Sequence, residues 1–205
     1  MDKKLLVILI DGFRHDYVKR DSGLKGFPRI AKQGVYAKRL EPVHPSNTYP
    51  NMYTIATGLY PESHGFIDDY IRDKDTGDLF LTSPHPNASH YHWWDDAVPI
   101  WVLAEKHRIK TALYNWDGCQ VVSENLKKRP SATHCEPYQP YTKQDKEVFA
   151  RRIEKVVNDF KDHKYRLAML YYEGVDYAGT YPSSVSLQLA QLDCLWKTRG
   201  GCVWC

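Results

Sequence analysis

Two short, continuous apolar runs constrain the fold of this 205-residue chain more than any other feature. Residues 4–10 contain the run LLVILI, and residues 166–172 contain the run LAMLYY. A run of this length and composition predicts a strand that is buried on both faces, as strands are in parallel sheets. Neither run is long enough to cross a membrane, and no other stretch of the sequence predicts a transmembrane segment.

Segments with helical spacing separate these strands. The predicted helices cover residues 26–34, 49–57, 97–107, 143–160 and 183–196, and two further strands are predicted at 35–40 and 110–115. Strands that alternate with helices predict an α/β fold, here a doubly wound parallel sheet with helices on both faces. Residues 68–94, rich in Asp, Gly, Pro and His, predict a loop with a hairpin. Because no strand follows the last predicted helix, we expect the sheet to be incomplete at the C-terminus.

The charge distribution argues against a nucleic-acid partner. Lys and Arg total 28 while Asp and Glu total 25, so the net charge is +3. The longest basic cluster, residues 127–129, is typical of a solvated turn rather than of a phosphate-binding stripe. Lys3 and Lys4 before LLVILI resemble the start of a secretion signal, but the run is short and no small-residue cleavage site follows it. We therefore predict no signal peptide in this sequence.

Polar side chains follow the predicted strands, at the positions where the active groups of open α/β sheets gather. Asp11 follows the first strand directly, and Thr48 opens a helix after the second strand. Glu173 and Asp176 follow LAMLYY. Carboxylates and a hydroxyl at one sheet edge are suitable ligands for a divalent cation. In the alternative interpretation, Asp11 caps the next helix and Asp176 is a turn residue, and the pattern leaves both open.

Cysteines and histidines in the middle of the chain are candidates for a disulfide and for metal binding. Cys119 and Cys135 bracket a polar loop and could close a disulfide. His85, His90 and His92 crowd the predicted loop and could bind a metal ion, but a solvated polar loop is the favoured interpretation.

The chain resembles the ectonucleotide pyrophosphatase/phosphodiesterases of the alkaline-phosphatase superfamily in three stretches, LLVILIDGFRHDY, PSNTYPNMYTIATGLYPESHG and VDYAG. Residues 93–121 most resemble the choline-specific glycerophosphodiesterase branch. The resemblance covers residues 4–195, about the first half of a family catalytic domain. It implies an alkaline-phosphatase-like sheet for residues 1–205, with residues 196–205 as a divergent tail. It also implies an extracellular or cell-surface location.

The same resemblance implies a zinc-dependent hydrolase with two zinc ions. Asp11 would be a ligand of one zinc, Asp176 a ligand of the second, and Thr48 both a zinc ligand and the nucleophile. Zinc lowers the pKa of a bound hydroxyl, so Thr48 would attack the phosphorus of a phosphodiester and form a phospho-threonine intermediate. The implied substrates are choline phosphodiesters of the glycerophosphocholine or lysophosphocholine type, and His64 would be structural.

Several side chains near the strand ends are candidates for substrate binding. Tyr171, Tyr114 and Trp116 could form a cage around a quaternary ammonium group through cation–π attraction, or could simply pack at the strand ends. Asp69 aligns with a phosphate-binding residue of the family, and Asp176 would also lie near the phosphate.

Departures from the family pattern keep a second function open. Thr180 stands where the family has a zinc-binding His, and Asp69 stands where it has a phosphate-binding Asn. The family's Ser-Asp-His-Gly segment would lie beyond Leu195, where this sequence does not contain it. Neither zinc site then has the three or four protein ligands that zinc prefers. The alternative to an enzyme is therefore a catalytically inactive relative, or a binding fragment, that takes choline-like ligands or a partner.

Overall fold

The computed structural model describes residues 3–20, 24–121, 132–140 and 145–180. Its helices are α1 (Tyr17–Arg20), α2 (Gly26–Gln33), α3 (Thr48–Thr57), α4 (Pro61–His64), α5 (Ile100–Lys106), α6 (Asp145–Lys161) and α7 (Gly174–Thr180). Its strands are β1 (Leu5–Ile10), β2 (Ile71–Arg72), β3 (Leu79–Phe80), β4 (Thr111–Tyr114), β5 (His134–Glu136) and β6 (Leu167–Tyr172). Two 3₁₀ helices lie at Pro86–Ser89 and Tyr91–Trp94. The predicted helix at 183–196 and the predicted tail at 196–205 lie outside the described residues.

Strands and helices alternate along the chain, which confirms the predicted α/β class. The chain divides into two compact units. The first unit contains Met1–Leu40 and Tyr141–Cys205, and the second contains Glu41–Pro140. Of the helices that the structure describes, none has both the length and the apolar composition that a membrane span requires.

The first unit is built on a pair of parallel strands formed by the two apolar runs. β1 and β6 pair in a register that joins Leu5 to Leu167 and Ile10 to Tyr172. Every residue of β6 is buried, as its sequence predicts. Helix α6 contacts β6 through Phe149, whose ring stacks on the Tyr172 ring with 4.7 Å between centroids. The unit therefore presents the carboxyl ends of both strands at the same edge.

The second unit contains a parallel pair formed by β4 and β5. β4 confirms the predicted strand at 110–115, whereas β5 was not predicted because three residues with one polar and one acidic side chain give no apolar run. The predicted disulfide between Cys119 and Cys135 is present, with 5.7 Å between the Cα atoms. It links the segment that follows β4 to β5 itself.

An aromatic core supports helix α3 in the second unit. Five aromatic side chains contact one another with centroid distances between 4.7 and 6.4 Å: Tyr49, Tyr53, Phe66, Phe80 and Trp94. The Tyr53 hydroxyl also donates hydrogen bonds to the carbonyls of Trp94 (3.0 Å) and Ala97 (2.8 Å). The start of α3 is thus fixed by packing, and its end by Gly58, which adopts the left-handed conformation.

The predicted strand at 35–40 is wrong. Each of its residues is exposed, and Val35 retains 95% of its accessible surface. In the part of the chain that the structure describes, no strand pairs with this segment. Its β-branched and aromatic residues favour a strand, but that preference stabilises a strand only when the side chains pack against a neighbour. Thr48 consequently follows an irregular segment rather than a strand.

The structure also tests the predicted hairpin within residues 68–94 and the predicted helix at 97–107. The hairpin expected within residues 68–94 is confirmed as the antiparallel pair β2–β3. The helix predicted at 97–107 is confirmed as α5, and its buried residue is Trp101.

Candidate active site

Asp11 lies directly after β1, and its carboxylate is held from both sides. The Asp11 amide continues the strand pairing by donating to the Tyr172 carbonyl at 2.9 Å. One carboxylate oxygen accepts from the Gly12 amide at 2.8 Å, and the other accepts from the Tyr171 hydroxyl at 2.6 Å. These two hydrogen bonds fix the orientation of the Asp11 carboxylate.

Gly12 brings the backbone of Asp11 against the first turn of α7. Gly12 has a φ of +63°, and a Cβ atom placed on it would lie 2.6 Å from the Cα atom of Asp176. This close approach puts two acidic residues, Asp11 and Asp176, on adjoining backbone at the carboxyl ends of parallel strands. Asp176 is exposed and Asp11 is half-buried. The first unit therefore carries a pair of carboxylates where α/β proteins bind their ligands.

Thr48 is the first residue of α3, in the second unit. It is half-buried, and the preceding Asn47 has the extended backbone of an N-cap residue. The backbone of the entering segment is held by Asn51, which donates to the Asn47 carbonyl at 2.8 Å and accepts from the Val43 amide at 2.8 Å. A hydroxyl at the start of a helix lies near the positive end of the helix dipole.

Two acidic residues follow the short helix α4 and reach back to the start of α3. Asp69 accepts a hydrogen bond from the Tyr49 amide at 2.8 Å, and Asp68 accepts one from the Asn47 side chain at 2.6 Å. The resemblance to the family implies that Asp69 stands at a phosphate-binding position. In the structure, the Asp69 carboxylate accepts from the Tyr49 amide, an N–H group at a helix N-terminus that could otherwise donate to an anionic ligand.

A buried network that the sequence analysis missed anchors Tyr49. The Tyr49 hydroxyl donates to the buried Asp117 carboxylate and accepts from the Ser83 amide at 3.0 Å. Burial, together with the charge of Asp117, raises the pKa of Tyr49 above its ordinary range. Asp117 follows β4 by three residues, so the rule that located Asp11 at a strand end could also have singled it out.

The three aromatic residues proposed for a cation cage are all buried. Tyr114 and Trp116 belong to the second unit and are both 0% exposed. The Tyr114 ring contacts His134, and the Trp116 ring contacts Trp101. Tyr171 belongs to the first unit, where it is buried and donates to Asp11.

His64 has the surroundings expected of a structural histidine. It is 0% exposed, its Nε2 atom lies 2.9 Å from the Thr54 hydroxyl, and its Nδ1 atom accepts from the Phe66 amide at 3.2 Å. Burial lowers the pKa of His64, which favours the neutral ring that these contacts require.

Replacing Tyr171 with phenylalanine tests the orienting role of its hydroxyl. If Asp11 is a metal ligand, loss of the Tyr171 hydrogen bond should weaken metal affinity by about 10- to 100-fold, the usual cost of losing a partner that orients a ligand. Titration calorimetry with zinc measures the change. The matched control is Tyr165→Phe, in the same unit, which should leave affinity unchanged; equal affinity in both variants would contradict the role.

A parallel α/β fold with a carboxylate pair at the strand ends, and a hydroxyl that opens a helix, defines a class of proteins that bind ligands at a sheet edge. Residues 5–190 match the model of the type I phosphodiesterase / nucleotide pyrophosphatase family. The chain belongs to this family, which is one of metal-dependent phosphodiesterases.

Curated relatives match a part of the chain. An uncharacterized pyrophosphatase/phosphodiesterase of Schizosaccharomyces pombe is 41% identical over 131 residues, which are 62% of this chain and 26% of that protein. A bis(5′-adenosyl)-triphosphatase of Xenopus laevis is 37% identical over 122 residues, which are 60% of this chain and 26% of that protein. The chain thus spans about a quarter of the length of these relatives.

A solved structure of murine ectonucleotide pyrophosphatase/phosphodiesterase 5 is similar over most of the chain. The match has a TM-score of 0.76 and 27% identity, and it covers 94% of this chain and 50% of the other. That structure is an inactive threonine-to-alanine variant in complex with AMP. The similarity supports the α/β assignment with a parallel sheet.

Proposed function

We propose that this chain carries the nucleophile and part of the metal site of a zinc-dependent phosphodiesterase. The observation that carries the proposal is the Asp11 carboxylate, oriented by Gly12 and Tyr171 beside the backbone of Asp176. A carboxylate oriented by donors on both oxygens is the usual environment of a metal ligand. Residues 5–190 would correspond to the first half of the catalytic domain, in line with the half of the solved relative that they cover.

The proposed ligand atoms are of types that zinc binds. Asp11 and Asp176 supply carboxylate oxygens and Thr48 supplies a hydroxyl oxygen, and zinc accepts such ligands. Two bound zinc ions would supply positive charge that lowers the pKa of the hydroxyl and stabilises the attacking and leaving oxygens. Asp11 and Thr48 are proposed to hold one ion, and Asp176 the second.

Thr48 is proposed as the nucleophile. Its oxygen forms a bond to phosphorus while the ester bond to the leaving alcohol breaks, and the alcohol leaves with the proton that balances its charge. Water then cleaves the phospho-threonine, releases a phosphomonoester and restores the hydroxyl. The start of α3 would contribute the positive end of its helix dipole to the charge that develops on the phosphate oxygens. The inactive threonine variant of the murine relative supports this assignment.

Two classes of phosphodiester are candidate substrates of this chain. Nucleotide phosphodiesters are supported by the bis(5′-adenosyl)-triphosphatase relative and by the AMP that the murine relative binds. Choline phosphodiesters are supported by the resemblance of residues 93–121 to the choline-specific branch. The buried rings of Tyr114 and Trp116 offer no exposed face to a trimethylammonium group, so we place nucleotide phosphodiesters first.

An extracellular or cell-surface location is part of the proposal. The disulfide between Cys119 and Cys135 is typical of proteins that fold in an oxidising compartment. The relatives named as ectonucleotide enzymes point the same way.

A non-enzymatic role is the second candidate, because two residues differ from the family pattern. Thr180 replaces a zinc-binding His, and Asp69 places a carboxylate at a phosphate-binding position. Both changes would weaken metal and phosphate binding, which suits a relative that binds its ligand without turnover.

Hydrolysis assays with two chromogenic phosphodiesters distinguish these proposed functions. We expect the chain, stripped of metal and supplied with zinc, to release p-nitrophenol from the p-nitrophenyl ester of thymidine 5′-phosphate faster than from p-nitrophenyl phosphorylcholine. Faster release from the choline ester would reverse the substrate order. A folded chain that binds AMP or choline by calorimetry but cleaves neither ester would establish the binding role instead.

A further inference from the structure

Asp78, His90 and His92 form a cluster on the surface of the second unit. Asp78 precedes β3 in the β2–β3 hairpin, and the two histidines lie at the start of the second 3₁₀ helix. The His90 Nδ1 atom is 3.1 Å from an Asp78 carboxylate oxygen, and the His92 Nε2 atom is 3.2 Å from the same oxygen. Two imidazole rings thus converge on one carboxylate oxygen, although the residues come from separate parts of the chain.

The backbone around Asp78 holds its carboxylate in place. The Leu79 amide donates to one carboxylate oxygen at 2.8 Å, so the other oxygen faces the two imidazoles. The Asp78 carbonyl accepts from the Asp73 amide at 2.8 Å, which closes the hairpin turn.

His92 is also anchored, through a ring contact to the aromatic core. Its ring lies 4.4 Å from the Trp93 ring, and Trp93 contacts Phe80 of β3 at 5.8 Å between centroids. The hairpin and the 3₁₀ helix are therefore packed together by apolar contacts that do not depend on the polar cluster. A site whose supporting elements are already packed loses little conformational freedom when it binds an ion.

We propose that Asp78, His90 and His92 bind a divalent cation of the borderline class represented by zinc, with water completing the coordination. Imidazole nitrogen and carboxylate oxygen are the ligand types that zinc accepts, and three protein ligands with one water is a common zinc arrangement. At the usual zinc–ligand distances, neighbouring ligand atoms of a tetrahedral site are about 3.3 Å apart. The two histidine–aspartate separations already match this edge length, and the ligand atoms of all three residues lie within 4.8 Å of one another.

The exposure of the cluster suits ion entry and argues against a purely structural ion pair. The side chains of His90 and His92 are 47% and 45% exposed, and that of Asp78 is 28% exposed. Ion pairs this accessible to solvent contribute little to stability. The bound ion would instead join the hairpin to the 3₁₀ helix, and it shares no residue with the proposed catalytic set of Asp11, Thr48 and Asp176.

Zinc titration of a chain without the catalytic set tests this site separately. The parent carries Asp11→Asn, Thr48→Ala and Asp176→Asn, so that the proposed catalytic ligands no longer contribute. We expect calorimetry at neutral pH to show one zinc equivalent bound. Adding His90→Ala or His92→Ala to this parent should weaken that binding by more than about 100-fold, because a ligand is lost rather than only its supporting contact. Cobalt in place of zinc should give the visible absorption of a four-coordinate ion.

The matched control is His107→Ala in the same parent, since His107 is an exposed histidine of the same unit outside the cluster. It should leave the zinc equivalent unchanged. The proposal is overturned if the parent binds no zinc, or if His90→Ala and His92→Ala bind zinc as the parent does. None of these outcomes depends on turnover, so failure here and failure of the proposed phosphodiesterase activity are distinguishable.

Discussion

Replacing Thr48 with alanine is expected to lower kcat for phosphodiester hydrolysis by at least about 10⁴-fold, because the reaction loses its nucleophile. The fold should survive the change. Asn47 remains as the N-cap residue, and the Tyr49 amide keeps its hydrogen bond to Asp69. Steady-state kinetics with the nucleotide ester measures the loss, and far-ultraviolet circular dichroism checks the fold.

Two further variants make the Thr48 result specific. Thr48→Ser keeps a hydroxyl and should retain part of the activity together with a trapped phosphoamino acid in acid-quenched samples. Thr57→Ala removes a hydroxyl from the same helix, where Thr57 donates to the Tyr53 carbonyl, and it should leave kcat near the parent value. If Thr48→Ala and Thr57→Ala were equally active, Thr48 would not be the nucleophile.

Replacing Gly12 with alanine is expected to destabilise the chain by about 2–5 kcal/mol, since two separate costs combine. An alanine at a φ of +63° adopts a conformation that L-residues disfavour, and its Cβ atom would lie 2.6 Å from the Cα atom of Asp176. The clash is with backbone, so rotation of a side chain cannot relieve it. Zinc affinity should fall as well, because the change separates Asp11 from Asp176.

The matched control for Gly12 is Gly58→Ala. Gly58 has a φ of +73°, but a Cβ atom there meets nothing within 4 Å. Gly58→Ala should therefore show the conformational cost alone, about 1–2 kcal/mol. Chemical denaturation of both variants measures the difference. If both variants lost the same free energy of unfolding, the close approach of Gly12 to Asp176 would not contribute to the cost of Gly12→Ala.

The sequence predicted elements well where burial follows directly from composition. The runs that became β1 and β6 are almost wholly apolar, so both strands could be predicted without knowledge of their neighbours. Burial on both faces is confirmed for β6 only, because in β1 only Leu6 is buried and Leu5 is exposed. Residues 35–40 have a similar preference for strand, but nothing in the described part of the chain pairs with them. β5 was missed for the opposite reason, since it is held by pairing with β4 and by a disulfide rather than by apolar side chains.

The candidate site shows the same division between local and long-range information. That Asp11 and Asp176 would share one sheet edge followed from the rule for parallel strands, but the role of Tyr171 did not. Its hydroxyl reaches Asp11 because of the register between β1 and β6, which aligns Tyr171 with Leu9. The convergence of Asp78 with His90 and His92 likewise depends on hairpin pairing that spacing along the chain does not reveal.

Under the proposed phosphodiesterase function, the hydrogen bond from the Tyr49 amide to Asp69 has a consequence for product release. A fixed negative charge at the start of α3 repels an incoming anion in proportion to the charge that the anion carries. A phosphodiester has one negative charge near neutral pH, whereas the phosphomonoester that hydrolysis yields approaches two. Under the proposed function, Asp69 would therefore penalise the product more than the substrate, and this helix start would favour departure of the monoester.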